Sequence, residues 1–144
     1  MANEFYYSVS LSIVHPTVDP KSITRSMTPL SPSIETMAGT EKRTKDGALI
    51  IPVRKAALSH WLAELHDEDR LFSGDKPIDD FLLDELKKLE EHRELFRQLQ
   101  QEGRVALLIG LFSISNYSAF RLGAGTLFQA GDLGIDLEFN FYGV

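Results

Sequence analysis

RVALLIGLFSIS (residues 104–115) and IDLEFNFY (residues 135–142) decide the fold class. In the first stretch a two-residue period is apolar on both sides, Val105, Leu107, Ile109 and Leu111 against Ala106, Leu108, Gly110 and Phe112, as a strand in the middle of a sheet requires. In the second, Ile135, Leu137, Phe139 and Phe141 alternate with Asp136, Glu138, Asn140 and Tyr142, which predicts a strand with one dry and one wet side. FYYSVSLSIVH (residues 5–15) repeats that alternation, with Phe5, Tyr7, Val9, Leu11 and Ile13 opposed to Tyr6, Ser8, Ser10 and Ser12. Between the two C-terminal strands, Ser115-Asn116-Tyr117 reads as a turn into a short strand near Phe120 to Leu122, a hairpin, and Ala124 to Leu133 as a short helix stopped by Gly134.

The helical layer is read from caps and period. Asp19 at an N-cap and Pro20 at the first helical position predict a short helix from Lys21 to about Met27, stopped before Pro29. From Pro77 to Gly103 no glycine or proline interrupts the chain, and at 100° per residue Ile78, Phe81, Leu82, Leu86, Leu89, Phe96 and Leu99 share one stripe. That predicts a single long helix, with Asp79 and Asp80 at its positive end and Asp84 with Lys88 as an outward i,i+4 pair. Residues 28–48 are rich in Pro, Ser, Thr and Gly and read as loop, with an edge strand at Glu41 to Thr44 and a turn at Asp46-Gly47. ALIIPVR (residues 48–54) reads as a strand interrupted by Pro52, and KAALSHWLAEL (residues 55–65) fits helix and strand equally. The sum is an α+β two-layer sandwich over residues 1–144 as a single domain. It has a mostly antiparallel sheet carrying one long and one or two short helices on one face, ferredoxin-like in spirit.

Composition excludes several classes of function. The 144-residue chain has no cysteine, so disulfides, thiolate nucleophiles and cysteine-ligated metal centres are ruled out, in keeping with a reducing, cytoplasmic address. Its start alternates instead of forming an apolar run, so neither a signal peptide nor a membrane partner is expected. Fifteen basic against twenty-one acidic residues leave a net charge of −6, which argues against a nucleic-acid partner despite the basic cluster Lys42, Arg43, Lys45, Arg54 and Lys55.

A strand YYSVSLSIVH leads to VDPKSIT. Then come SHW in mid-chain, the helix DELKKLEEHRELFRQLQQEG, the strand RVALLIGLFS, and FRLGAGTLFQAGDLGIDLEFNFYG to close. This order, over nearly the whole chain, resembles a bacterial family catalogued as domain of unknown function 4279. The resemblance implies fold and bacterial origin but no activity, since its landmarks are structural: a strand ending before Asp-Pro, a tryptophan in an extended Ser-x-Trp setting, and Leu-Gly-Ile-Asp-Leu-x-Phe-x-x-Tyr. It also favours strand over helix for Ser59 to Leu65.

Few residues offer chemistry. His60 and His66 lie near Glu64, Asp67, Glu68 and Asp69, but without an ordered ligand motif they read as a solvated acidic loop, and no metal or other cofactor is expected. His92 falls in the apolar stripe beside Arg93, where a lone histidine is usually hydrogen-bonded structure. Gly123-Ala124-Gly125 imitates the opening of a dinucleotide loop, but Gly131 is misplaced for its third glycine. The hydroxyl row Ser8, Ser10 and Ser12 lacks a base in the sequence nearby.

The second side of the sheet is the more informative surface. Leu108 and Phe112 form an apolar centre rimmed by Asp136 and Glu138, and such a patch is expected to be covered by a partner protein, a second copy, a ligand or the chain's own residues 28–75. Two functions follow. One is a non-enzymatic protein-interaction or regulatory module, immunity-like, with no catalytic residues. The other is a small-molecule sensor or enzyme with a pocket between the sheet and residues 41–70, contacted by Trp61, Arg54, His60 or Arg121.

Overall fold

In the computed structural model, which describes residues 4–51, 54–113 and 117–143, strand β1 (Phe5–His15) is the axis of the sheet. Its odd positions Phe5, Tyr7, Val9, Leu11 and Ile13 are at most 3% exposed. β5 (Arg104–Ser113) runs antiparallel along nearly its full length, placing Leu111, Ile109, Leu107 and Val105 opposite Tyr7, Val9, Leu11 and Ile13. The other side of β1 is shared. β3 (Ser59–Glu64) pairs with Ser10 to His15, and β4 (Leu71–Phe72) pairs with Tyr6 and Tyr7. β2 (Ile34–Thr36) lies outside β3 and β6 (Asp136–Tyr142) outside β5, giving a six-stranded sheet in the order β2-β3-β1-β5-β6 with β4 beside β1.

The mostly antiparallel α+β expectation holds, and Ser59–Glu64 is a strand with Ser59, Trp61 and Ala63 buried. The hairpin after β5 does not form. β5 and β6 are parallel, which demands a crossover, and helix α4 (Ala124–Leu133) supplies it. Phe120 to Leu122 is therefore not a strand; Phe120 instead sets its ring against Phe5 and Phe139, with centroids 5.9 and 5.6 Å away. The turn expected at Ser115-Asn116 lies outside the described residues, as does Pro52.

The helices share the side of the sheet that carries Val9, Leu11, Trp61, Leu107 and Ile109, where one cluster of buried side chains forms the core. α1 (Pro20–Ser26) starts as its sequence requires: Asp19 Oδ1 accepts the Lys21 N–H at 3.0 Å and Pro20 occupies the first turn. The stripe from Ile78 to Leu99 is buried except for half-buried Phe81, and the expected long helix runs without a gap from Ile78 to Gln100, as α2 (Ile78–Leu89), a 3₁₀ turn at Glu90–His92 and α3 (Arg93–Gln100). Glu90 to Arg93 bury no side chain in the core, and Arg93 reaches across to Asp132 of α4 at 2.6 Å, so nothing holds those residues to the α-helical pitch. The expected Asp84–Lys88 pair is replaced by Asp84 with Lys76 at 2.9 Å and Lys88 with Glu85 at 2.8 Å.

Three local features fix the frame. A Cβ at Gly103 would stand 2.3 Å from the Val14 carbonyl oxygen, so glycine is required where the helix layer meets β1. Gly134, at φ 69°, ends α4 while Ile135 N–H reaches the Ala130 carbonyl at 2.9 Å. Asp79, expected to favour its own helix end, also ties α4 to α2, its Oδ1 accepting Gly123 N–H at 2.8 Å and the Thr126 hydroxyl at 2.6 Å.

The break between β3 and β4 leaves a gap beside Val9 that a side chain fills. Leu65 N–H donates to the Val9 carbonyl at 3.0 Å, and Val9 N–H donates to His66 Nε2 at 3.0 Å. With Nε2 an acceptor, the ring proton lies on Nδ1 and is donated to the Glu68 carbonyl at 2.7 Å.

Candidate functional site

The register of the ladders assembles the side of the sheet that the helices leave open. One row across it runs Glu64, Ser10, Leu108, Glu138; the next runs Ile34, Leu62, Ser12, Ala106, Asp136; a third runs Phe72, Tyr6, Phe112, Tyr142. Leu108 and Leu62 are half-buried, Ser12 and Ala106 buried, and Glu64, Asp136 and Glu138 exposed. The expected apolar centre with an acidic rim is thus brought together. Its rim is not uniform, because Arg104 Nε stands 3.7 Å from Asp136 whereas, among the described residues, no cation pairs with Glu64 or Glu138.

Phe112 is less bare than its sequence implied. Its ring stacks on Tyr142, with centroids 4.8 Å apart and planes 10° apart, and the Arg70 guanidinium carbon sits 3.7 Å from its centroid. The chain's own segment between β3 and β4 therefore covers this end of the face, while the row through Leu108 stays open.

At the other end of the same face lies a cleft of about 690 Å³ between Val14, Thr36 and His60 of the sheet and an arm formed by residues 37–51 and 54–58. The arm bends at Thr44–Gly47, where Gly47 takes φ 90°, and is held by the bridges Glu41–Lys55 and Arg43–Leu49. It is a bridged loop in place of the expected edge strand, because its exposed side chains give it nothing to pack on. Lys42 and Arg43 of the basic cluster line the cleft.

His60 is the one candidate ligand contact among the four proposed for such a pocket that lines it. Burial pushes its imidazole below the ordinary 6.5, and its Nε2 lies 3.4 Å from Ser12 Oγ. Trp61 points to the helix side, fully buried, with its indole N–H donating to Thr24 Oγ1 at 2.9 Å; it is core and not a wall of the cleft. Arg54 is an exposed arm residue whose carbonyl accepts Lys42 N–H at 2.7 Å, and Arg121 borders a separate shallow hollow with Asp79 and Phe120. The Ser12–His60 approach was invisible along the chain because it depends on the β1–β3 register, which sets Ser12 opposite Leu62 and Val14 opposite His60. It makes no triad: among the described residues, no carboxylate orients His60.

The other histidines are engaged by structure. His66 uses both ring nitrogens on backbone groups, as shown above, and His92 rests against Phe96 with Glu91 3.1 Å away. Among the described residues no three His, Asp or Glu side chains converge as a metal site, and no helix is long and apolar enough to cross a membrane.

Residues 3–144 match the family model described as Domain of unknown function (DUF4279). The chain belongs to that family. Neither the comparison with curated proteins nor that with solved structures gave a match. What this DUF4279 domain offers for recognition is accordingly read from its own geometry: a one-sided helix layer, an open sheet face centred on Leu108, and at that face's far end a largely apolar cleft with Glu41, Lys42, Arg43 and His60 in its lining.

Proposed function

We propose that this DUF4279 domain is a non-enzymatic binding module that receives a basic protein segment on the open face of its sheet, as a regulatory or immunity-type protein does. The carrying observation is the row Glu64, Ser10, Leu108, Glu138: an apolar side chain left half-exposed between two unpaired carboxylates. Apolar surface left in water forgoes roughly 25 cal/mol per Å², and a partner that brings an aliphatic anchor to Leu108 and cations to Glu64 and Glu138 recovers it. The test is affinity capture followed by titration of the identified partner. Leu108→Asp and Glu138→Lys should each weaken its binding at least tenfold while the domain still folds and melts cooperatively, and amide shifts should map to Ser10, Leu62 and Leu108. Shifts confined to the cleft around His60 would refute the reading.

The cleft supports a second reading, a small anionic ligand held by Lys42, Arg43 and His60, since its volume falls within the range of small-molecule sites, about 300–1,000 Å³. Loss of ligand binding in Lys42→Ala together with Arg43→Ala, with Leu108→Asp unaffected, would mark that case.

A further inference from the structure

We infer that β6 is a self-association edge, on which a second copy of this chain pairs antiparallel about Phe139 to continue the sheet across a two-fold axis. Among the described residues β6 ends the sheet on that side, and nothing pairs with its outer edge. It has no proline, lysine or arginine between Asp136 and Tyr142, and its only edge charges are Asp136 and Glu138. Its helix-side residue Phe141 is 75% exposed.

Helix α4 extends this apolar edge. Thr126, Ala130 and Leu133 form its buried face, and Gln129 and Asp132 meet Glu90 and Arg93 on one flank. At 100° per residue the opposite flank carries Leu127 and Gly131, with Phe128 beyond, turned away from the long helical segment toward the outer side of β6. Leu127 is 51% and Phe128 71% exposed. A two-fold axis perpendicular to the sheet sets two such α4 helices side by side on the same face, so strand edge and helix flank are buried together.

The charges select the register. Residues that face each other must lie on the same side of the sheet, so Phe139 opposite itself places Leu137 against Phe141, Glu138 against Asn140, and Asp136 against Tyr142. All seven residues of the strand then pair and no carboxylate faces another. Centring on Leu137 sets Asp136 against Glu138, centring on Glu138 sets that carboxylate against its copy, and centring on Asn140 or Phe141 leaves Asp136 without a partner inside the strand.

Sedimentation and light scattering across a dilution series test this directly. The chain should run at twice its 16.2 kDa mass at high concentration. Asn140→Glu places glutamates opposite each other twice and should return the mass to a single chain, and Glu138→Lys added to it should restore the dimer through two Lys–Glu pairs. Leu127→Glu should separate the copies from the helix side. Circular dichroism melts check that each variant folds; should Asn140→Glu fail to fold, Leu127→Glu decides. A wild-type chain that stays single, a dimer indifferent to Leu127→Glu, or a break by Asn140→Glu that Glu138→Lys does not repair would overturn the proposal. Glu138 is shared with the open face, but Leu127 lies on the helix side of the sheet, so Leu127→Glu separates this test from that of the open face.

Discussion

β1 and β5 build two surfaces from alternate residues of the same two strands, and the surfaces are held by different means. On the helix side, odd positions from Phe5 to Leu111 meet Ile23, Leu82, Leu86 and Phe96 in a closed core. On the other side, Ser8 and Ser10 lie opposite Gly110 and Leu108, and cover comes piecemeal from Arg70 at one end and the arm at the other. One surface is fixed by packing and the other is left available. Adjacent residues of one strand can therefore differ sharply in what they contribute to stability.

The strongest challenge to that contrast is mutation on the closed side. Leu86→Ala, Phe96→Ala and Leu107→Ala should each cost about 2–5 kcal/mol in denaturant melts, while Glu90→Ala, outside the core, should be near neutral. Gly103→Ala should cost about 1–3 kcal/mol, because the new methyl meets the Val14 carbonyl and neither backbone can give freely. His66→Ala strips Val9 N–H of its acceptor and should cost about 1–3 kcal/mol, with partial recovery in His66→Gln. Leu108→Ala, one residue from Leu107 but on the available side, should cost about 1 kcal/mol or less; a loss equal to that of Leu107→Ala would show that the two surfaces are equally closed.

The smallest effect is one of pH. Burial lowers the His60 pKa below the ordinary 6.5, so the unfolded chain takes up this proton before the folded one does as pH falls. Stability present above that value should decline as pH falls below it, and His60→Gln should flatten that slope.

Legibility in the sequence follows the same division. The closed side was readable because packing enforces a period: β1, β5 and the stripe from Ile78 to Leu99 appear in the structure with their expected sides inward, and β6 does so as far as Phe139, whereas Phe141 at the sheet edge is exposed. Parallel pairing of β6 was not readable, since alternation is the same in either direction and only the α4 crossover decides it. The 3₁₀ turn at Glu90–His92 also left no mark, because Leu89 and Phe96 keep helical phase across it. On the available side the composition of the Leu108 row was legible, whereas Arg70 over Phe112 and His60 beside Ser12 depend on registers no local pattern encodes. Trp61 misled as a ligand contact for a related reason. A lone tryptophan in a polar context draws attention, yet its period-two neighbours Ser59 and Ala63 already place it inward.

The imidazole that closes the ladder beside Val9 also makes the molecule spectroscopically distinctive. A backbone amide donating to a ring nitrogen joins two ¹⁵N nuclei through one hydrogen, so Val9 and His66 Nε2 should show a scalar coupling across the bond that no amide-to-carbonyl contact can produce. His15 Nδ1, which accepts from Thr17 and Val18 N–H at 3.0 and 2.9 Å, should show the same signature at the far end of β1. The three couplings would mark the middle and the C-terminal end of one strand in a single spectrum, and a variant that pulls the segment after β3 away from β1 should extinguish the one at Val9 and spare those at His15.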